Sequence, residues 1–257
     1  MGSLQYGEML LLVDAKDRRY LVSLSANGEF HSHSGYILHD ELVGTEPGRY
    51  VKSSGGTQYL IVRPTMDDVI LKMPRAAQII YPKDIGQILL AADIYPGVKV
   101  LESGIGSGAL SMALLRAGAN IVGYELREDF ANRASKNITA FFGEDILHNY
   151  TIKIADIYDG ITEDKFDRAI LDLPEPWKTI PHLEGSLVDG GIVVGYTPSI
   201  TQAMRLREAL ATSTFVMEET YEVSKRNWHI EGRAVRPEHR MVAHTGFITH
   251  ARFVSQI

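Results

Sequence analysis

The sequence predicts an α/β protein in which a doubly wound, mostly parallel sheet follows a small N-terminal β domain. From about residue 70, apolar runs of strand length alternate with helix-like segments, which is typical of a Rossmann-like sheet with helices on both faces. One of these strands leads through a glycine-rich loop into a helix. Before residue 65 the apolar runs are short, and glycines recur at turn-like spacing. We therefore expect a β domain over residues 1–65 and the α/β domain over residues 66–257.

The N-terminal domain begins with two apolar runs, residues 9–13 and 20–24, and the polar residues 14–18 between them predict a hairpin. Residues 59–62 predict a further strand, which Pro64 follows. Short strands separated by glycine turns predict a small barrel or sandwich.

The second domain shows alternating element types. Helices are predicted at residues 84–93, 109–117, 129–142 and 202–211. Strands are predicted at residues 98–102, 120–125, 151–154, 166–172 and 191–196. This alternation predicts parallel neighbours, whose carboxyl ends meet at one edge of the sheet and form the ligand-binding crevice.

The bulk composition limits the possible classes of protein. The chain has 257 residues and no cysteine, which excludes disulfides, thiolate metal ligands and a cysteine nucleophile. No apolar run reaches the roughly 20 residues of a membrane helix, and the first residues lack the basic and apolar regions of a secretory signal. We therefore expect a cytoplasmic protein. The net charge of −6 argues against a nucleic-acid partner, although the C-terminal third contains a basic cluster.

The glycine-rich loop, residues 102–108 (Glu-Ser-Gly-Ile-Gly-Ser-Gly), joins a strand to a helix. Glycines permit a tight turn and the close approach of a ligand, and the free N–H groups at a helix start favour polar or anionic ligand atoms. The pattern alone leaves open a tight turn that binds nothing. The residues assigned to a cofactor site here are Glu102, Gly104, Ile105, Gly106, Ser107 and Gly108.

Carboxylates end the next two strands. Glu125 can accept hydrogen bonds from both ribose hydroxyls of a nucleoside. Asp156 either accepts the amine of a cofactor adenine or serves as a turn or N-cap residue, and Phe130 joins the cofactor set. These features fit a nicotinamide dinucleotide or S-adenosylmethionine. The Gly-x-Gly-x-Gly spacing and Glu102, which would repel a pyrophosphate, favour S-adenosylmethionine.

A proline-rich loop, residues 172–177 (Asp-Leu-Pro-Glu-Pro-Trp), follows the strand 166–172. Its prolines stiffen the backbone and remove two donors, which leaves Asp172 facing the crevice outside the strand ends. Trp177 offers an apolar plane with one N–H. The alternative is a rigid connection with a solvated aspartate and a packed tryptophan.

Several blocks of the sequence resemble the TrmI family of tRNA adenine-N1 methyltransferases. They are residues 36–40, 63–65, 73–84, 102–108, 171–177, 228–233, 236–237 and 241–247, and they follow the family order along nearly the whole chain. The resemblance implies a class I methyltransferase fold with a seven-stranded sheet. It also implies transfer of a methyl group from S-adenosylmethionine to N1 of adenine-58 in the T-loop of tRNA, in a homotetramer. Whether adenine-57 is also modified stays open.

The resemblance gives Asp172 a catalytic role beside the cofactor. Adenine N1 already carries a lone pair, so no base is needed to remove a proton from it. An ionised Asp172 that accepts a hydrogen bond from the N6 amine would orient the base and stabilise the developing positive charge. Because the base must leave the folded tRNA, aromatic planes are needed to hold it. Tyr81 is the first candidate for this contact and Trp177 the second.

The basic and aromatic cluster near the C-terminus suits phosphate contacts and stacking. Its candidate tRNA-binding residues are Trp228, His229, Arg233 and Arg236. A solvated hairpin or a subunit contact is the alternative. His31, His33 and His39 are scattered over loops, so we expect no metal site.

Three competing functions remain. A dinucleotide-dependent oxidoreductase would need a loop compatible with a pyrophosphate, and Glu102 argues against it. A non-catalytic tRNA-binding subunit would be expected to lose the glycine loop or Asp172, and this chain retains both. A methyltransferase for small molecules is disfavoured only by the family blocks.

Overall fold

A computed structural model describes residues 2–75, 77–163 and 165–255. The chain divides into two compact units. The first unit contains Met1–Pro74 and Lys136–Asp145, and the second contains Arg75–Ser135 and Ile146–Ile257.

The first unit is mainly antiparallel β structure. Its strands are β1 (Met9–Asp14), β2 (Arg19–Ser23), β3 (Glu29–Ser32), β4 (Gly35–Leu38), β5 (Arg49–Lys52) and β6 (Gln58–Val62). Its short helices are α1 (His39–Leu42) and α2 (Met66–Lys72). The order β2-β1-β6-β5 forms one sheet, and β3 pairs with β4 in a separate hairpin. The predicted hairpin of the first two strands is confirmed, since Met9 lies opposite Ser23.

Local sequence explains these elements. Leu10 and Leu12 alternate along β1 with side chains on the core side of the pleat. Thr65 and Asp68 form a capping box that begins α2, because each side chain accepts a hydrogen bond from the other residue's backbone N–H. Eight buried side chains of this unit form a hydrophobic cluster: Leu4, Leu10, Leu12, Leu24, Ile37, Leu42, Tyr59 and Ile61.

The second unit has the alternating pattern that the sequence predicts. Its strands are β7 (Lys99–Ser103), β8 (Asn120–Glu125), β9 (Tyr150–Ile154), β10 (Phe166–Leu171), β11 (Leu187–Thr197), β12 (Phe215–Glu222), β13 (Trp228–Glu231), β14 (Ala234–Pro237) and β15 (Phe247–Phe253). Its helices are α3 (Pro82–Ala91), α4 (Ala109–Arg116), α5 (Glu128–Phe142), α6 (Ile180–Ser186) and α7 (Ile200–Ala211). The last residues of α5 belong to the first unit.

The predicted seven-stranded sheet is confirmed, with the order β12-β15-β11-β10-β7-β8-β9. Neighbours from β11 to β9 are parallel, and β15 is antiparallel to both of its neighbours. The chain runs outward from β7 on both sides, so the strand order reverses between β7 and β10. A crevice for a ligand is expected at such a reversal, outside the carboxyl ends of the strands.

The boundaries differ from the sequence expectation in a few places. The helix expected at 84–93 begins at Pro82, a favoured first helical residue because its missing N–H is not needed there. The strand expected at 191–196 is the C-terminal half of the longer β11, which begins at Leu187 and ends at Thr197. In the part of the chain that the structure describes, no helix is long and apolar enough to span a membrane.

Candidate active site

The glycine loop connects β7 to α4 and lies against the proline-rich loop that follows β10. Gly104 has a φ of +83°, a left-handed conformation that disfavours a side chain. A Cβ at this position would lie 1.9 Å from the carbonyl oxygen of Asp172. The Asp172 N–H donates to the carbonyl of Ser103 at 2.9 Å. Glycine at 104 therefore lets the two loops touch through their backbones.

A cavity of about 550 Å³ opens beside this contact, at the carboxyl edge of the sheet. It is lined by Ala77, Gln78, Ser103, Gly104, Gly106, Tyr124, Glu125, Leu126, Arg127, Phe130, Ala155, Asp156, Ile157, Tyr158, Asp172, Leu173, Pro174, Pro198 and Gln202. Six residues that the sequence assigned to the cofactor meet in this lining: Gly104, Gly106, Glu125, Phe130, Asp156 and Asp172.

Glu125 ends β8 with a buried side chain held by backbone donors. Its Oε2 accepts from the N–H of Gly106 at 3.0 Å, and its Oε1 accepts from the N–H of Arg127 at 3.0 Å. Each carboxylate oxygen can accept a further hydrogen bond. The Glu125 carboxylate can therefore receive a pair of neighbouring hydroxyls from inside the cavity.

The Phe130 ring contributes an apolar plane to the lining of the cavity. The Arg127 guanidinium lies 3.8 Å from the centre of the Phe130 ring, in a cation–π contact. Asp156 caps the short 3₁₀ helix Ile157–Asp159, where its Oδ1 accepts from the N–H of Tyr158 at 2.9 Å. Asp156 thus has the turn role that the sequence left open and also lines the cavity. A flat heterocycle with an exocyclic donor matches this wall.

Asp172 is the first residue after β10 and faces the cavity. Burial of this side chain and, to a lesser extent, the negative charge of Glu125 raise the pKa of the Asp172 carboxyl to about 7. Within residues 2–75, 77–163 and 165–255, no donor forms a hydrogen bond with this carboxylate. An acceptor without a partner at a cavity wall is free to bind a ligand donor.

Glu102 lies in β7 below the cavity rather than in its lining, and 1% of its surface is exposed. Its carboxylate accepts from the hydroxyl of Ser111 at 2.8 Å and from that of Tyr150 at 3.0 Å. Burial, with smaller contributions from the charges of Asp172 and Glu125, raises the pKa of Glu102 to about 7, although the two hydrogen bonds act in the opposite direction. Direct contact of Glu102 with a cofactor stays a prediction, but its charge acts on the same site.

Five further predicted residues do not line the cavity. Ile105 and Ser107 are buried, and Gly108 is the left-handed residue that begins α4. Tyr81 is the N-cap of α3 and has extended backbone. Trp177 packs against the core of the second unit, and the Arg205 guanidinium lies 5.4 Å from its ring. Their predicted roles stay predictions.

The predicted tRNA-binding residues belong to the hairpin β13–β14. Trp228, Arg233 and Arg236 are exposed. His229 is partly buried, and its imidazole lies 3.5 Å from the Glu231 carboxylate. The hairpin therefore presents aromatic and cationic side chains to solvent, as phosphate and base contacts require.

Two residues beyond the sequence prediction also line the cavity: Pro198, which directly follows β11, and Gln202, in the first turn of α7. The Gln202 side chain donates to the carbonyl of Pro174 at 2.9 Å and accepts from the Ser199 hydroxyl at 2.6 Å. It thus holds the proline-rich loop from the start of α7. The rule that singled out Asp172, a position just past the carboxyl end of a parallel strand, also applies to Pro198.

Among residues 2–75, 77–163 and 165–255, no group of His, Asp or Glu side chains is arranged to hold a metal ion. The groups that line the cavity instead suit an uncharged or cationic nucleoside. They comprise carboxylates at three strand ends, one apolar ring and backbone N–H groups.

Comparison with protein families gives two matches. Residues 57–237 match the model of the tRNA methyltransferase complex GCD14 subunit, and residues 2–51 match the TrmI-like N-terminal model. The first match contains the cavity, the proline-rich loop and the hairpin β13–β14.

Characterised relatives are similar over nearly the whole chain. The tRNA (adenine(58)-N(1))-methyltransferase TrmI of Thermus thermophilus is 34% identical, with 95% of this chain and 96% of that protein covered. The tRNA (adenine(57)-N(1)/adenine(58)-N(1))-methyltransferase TrmI of Methanocaldococcus jannaschii is also 34% identical, with 94% of each covered.

Solved structures agree with the fold. The crystal structure of TrmI from Aquifex aeolicus superposes with a TM-score of 0.85 at 29% identity, covering 99% of this chain and 100% of that one. A SAM-dependent O-methyltransferase from Thermotoga maritima superposes with a TM-score of 0.93 at 32% identity, covering 100% of this chain and 96% of that one.

Proposed function

Because the chain belongs to the TrmI family of tRNA methyltransferases, we propose that it transfers a methyl group from S-adenosylmethionine to N1 of adenine-58 in tRNA. The observation that carries this proposal is the Asp172 carboxylate, which faces the cavity without a hydrogen-bond partner among the described residues. Glu125, Phe130 and Asp156, which line the same cavity, suit a nucleoside cofactor, and the proline-rich loop that begins at Asp172 also borders this cavity.

The cavity suits the proposed cofactor because its wall leaves room where side chains would block it. Gly106 lines the cavity with a φ of +57°, and a Cβ added there would lie 3.8 Å from the Ala77 Cβ, in ordinary contact, and would take up room beside the loop. Glu125 would hold the ribose hydroxyls through its free lone pairs, and Phe130 with Asp156 would hold the adenine. The carboxylates of Glu125 and Asp172 suit a cationic ligand and disfavour a pyrophosphate.

When bound, S-adenosylmethionine supplies an electrophilic methyl group on a sulfonium centre. Asp172 accepts a hydrogen bond from the N6 amine of the target adenine and so orients N1 toward the methyl group. As the ring becomes positive, the ionised carboxylate stabilises the charge. No group has to remove a proton from N1. Deprotonation of Asp172 is the one acid–base requirement, and its raised pKa places that step near pH 7.

The protein around Asp172 limits its movement. The backbone contact with Gly104 fixes the start of the loop, and Gln202 holds the carbonyl of Pro174. Restraint of this kind contributes to the rate because small misplacements of a reacting group are costly. Tyr81 and Trp177 remain the proposed aromatic contacts for an extruded base, and the hairpin residues remain the proposed contacts for tRNA phosphates.

The test is incubation of the purified protein with methyl-labelled S-adenosylmethionine and an unmodified tRNA transcript, followed by nucleoside analysis and position mapping. We expect 1-methyladenosine at position 58, and no label when adenine-58 is replaced by guanine. Asp172→Ala should lose turnover by about 10²-fold or more, while binding of S-adenosylmethionine, measured by calorimetry, is retained. Label at N6, or none in tRNA, would overturn the proposal.

The same mapping resolves position 57. The relative from Methanocaldococcus jannaschii is named for both adenines, and the one from Thermus thermophilus for adenine-58 alone. We propose adenine-58 as the main site. We also propose that the protein is a cytoplasmic homotetramer. Sedimentation equilibrium of the purified protein tests the number of subunits.

A further inference from the structure

The long connection between β12 and β15, residues 223–246, is here called the arm. It leaves the sheet after Glu222, forms the hairpin β13–β14 and returns at Phe247. Its charged side chains comprise five Lys or Arg and two Asp or Glu. A connection of this length must be held at both of its ends if its tip is to present side chains at a defined place.

A set of three residues, here called the clasp, holds both ends of the arm. The clasp consists of Lys83, Asp84 and Thr245. The Lys83 Nζ donates to the carbonyl of Val223 at 2.6 Å and to the Oγ1 of Thr245 at 2.6 Å. One end of the arm is bound through its backbone and the other through a side chain, by the same ammonium group.

Asp84 completes a closed ring of hydrogen bonds. Its Oδ1 lies 2.7 Å from the Lys83 Nζ, and its Oδ2 accepts from the Thr245 hydroxyl at 2.6 Å. The Asp84 side chain is fully buried, and 9% of the Lys83 side chain is exposed. Burial of two charges is costly unless they pair and their hydrogen bonds are satisfied. A purely stabilising contact could be made by apolar side chains, so the ionic pair points to a need for defined geometry at this position.

The clasp also contacts the wall of the active site. Lys83 and Asp84 lie in the first turn of α3, two and three residues after its N-cap Tyr81. The Tyr196 hydroxyl donates to the Asp84 Oδ2 at 3.4 Å, and burial, together with the nearby charges of Asp84 and Asp172, raises the pKa of Tyr196. The clasp therefore lies between the arm and the end of β11 that faces Asp172.

A second contact, made by a residue at the end of the arm, also links the arm to the wall of the active site. His244, the neighbour of Thr245, lies 2.8 Å from the Glu222 carboxylate and 2.9 Å from the carbonyl of Pro198. Pro198 lines the cavity. The clasp thus contacts Tyr196, and His244 contacts Pro198, both at the end of β11 on the proposed substrate side of the cavity. Neither set of contacts includes Glu125 or Asp156, the proposed cofactor contacts.

We propose that Lys83, Asp84 and Thr245 are positioning residues that fix the basic arm relative to Asp172, so that RNA held by the arm delivers its adenine into the cavity. This inference rests on the proposed function, because it takes tRNA as the substrate. If the clasp opens while the fold persists, the arm binds RNA in the wrong place. The KM for tRNA then rises and kcat falls, but cofactor binding is unchanged.

The test uses two ways of opening the clasp. Thr245→Val removes the bridging hydroxyl with little change of shape, and the double variant Lys83→Met with Asp84→Asn removes both charges, which avoids an unpaired buried carboxylate. The matched control is Thr220→Val. It removes a hydroxyl that lies 2.9 Å from that of Thr249, between β12 and β15, the two strands that the arm connects, but outside the clasp.

We expect each clasp variant to raise the KM for tRNA by about tenfold. This is the size of effect expected when at least one hydrogen bond to a charged group is lost. The Kd for S-adenosylmethionine should stay within about twofold of wild type, and Thr220→Val should match wild type throughout. The slope of log KM for tRNA against log salt should also become shallower, because fewer arm cations reach phosphates.

Two results overturn the inference. The first is wild-type KM and kcat for tRNA in both clasp variants. The second is a parallel loss of tRNA turnover and cofactor binding, which would make the clasp a general stabiliser. Failure of the proposed function is distinguishable, because in that case wild-type protein itself would leave tRNA unmethylated.

Discussion

Replacement of Gly104 by alanine should disable the site through a clash that the structure locates. The added Cβ would lie 1.9 Å from the carbonyl oxygen and 2.8 Å from the carbonyl carbon of Asp172, whereas real Cβ contacts essentially never fall below 3.0 Å. The backbone of Asp172 must therefore move by about 1 Å, and a displacement of that size costs about 10²-fold in rate.

The same substitution also has a conformational cost, which a second glycine isolates. An alanine in the left-handed region costs about 1–2 kcal/mol. Gly97 has a φ of +89°, close to the +83° of Gly104, but nothing lies within 4 Å of an added Cβ there. Gly97→Ala therefore reports the backbone cost alone, while Gly104→Ala adds about 1–3 kcal/mol for overpacking.

The assay combines urea denaturation of both variants with tRNA methylation at saturating substrates. Gly97→Ala should lose only stability and keep its kcat. Gly104→Ala should lose more stability and about 10²-fold in kcat. The steric reasoning is refuted if the two variants unfold at the same urea concentration and turn over tRNA at the same rate.

Three further predictions follow from the charges and contacts of the site. Because the pKa of Asp172 is raised to about 7, kcat/KM for S-adenosylmethionine should rise with pH through about 7 and then level off; a flat profile over that range would contradict it. The pKa of Glu102 is also raised to about 7, so the folded state retains a proton that the unfolded state releases, and stability falls as pH rises from about 4.5 to about 7. Glu102→Gln removes this loss, and urea titrations should show its advantage over wild type growing with pH by at most about 3 kcal/mol; an advantage that is independent of pH would exclude ionisation as the cause. Gln202→Leu should lower kcat several-fold by releasing the Pro174 carbonyl, with the calorimetric Kd for S-adenosylmethionine unchanged; a weaker Kd would place Gln202 in the cofactor site instead.

Most of the parallel sheet could be predicted because its strands are buried on both faces and read as continuous apolar runs. The strands β12 and β15 could not be found in this way. In β12 exposed and partly buried residues follow one another, and β15 contains Thr249, His250 and Arg252 among its apolar residues. These strands lie where the sheet becomes antiparallel and one face can remain partly polar.

The rule that ligands bind just past the carboxyl ends of parallel strands identified residues of the cavity, but it gave no information about the roles of aromatic side chains. It placed Glu125, Asp156 and Asp172 at one edge, because parallel strands end together. It could not decide whether Trp177 stacks on a base or packs in the core, since the same residue type serves both. Nor could it show that Glu102 turns toward Ser111, because that choice depends on the packing of the neighbouring helix and strand.

The separation of charge within the second unit explains how an acidic chain can act on RNA. Besides burial, the charge of Glu125 raises the pKa of Asp172, and the charges of Asp172 and Glu125 raise that of Glu102. This concentration of carboxylates makes the cavity attractive to a cation and repellent to phosphate. The arm carries five Lys or Arg and two Asp or Glu, although the chain as a whole has a net charge of −6. Phosphates are therefore drawn to the arm, whereas an uncharged base of the RNA can enter beside the carboxylates. On this account the clasp matters because it sets the distance between the two regions, which attract opposite parts of one substrate.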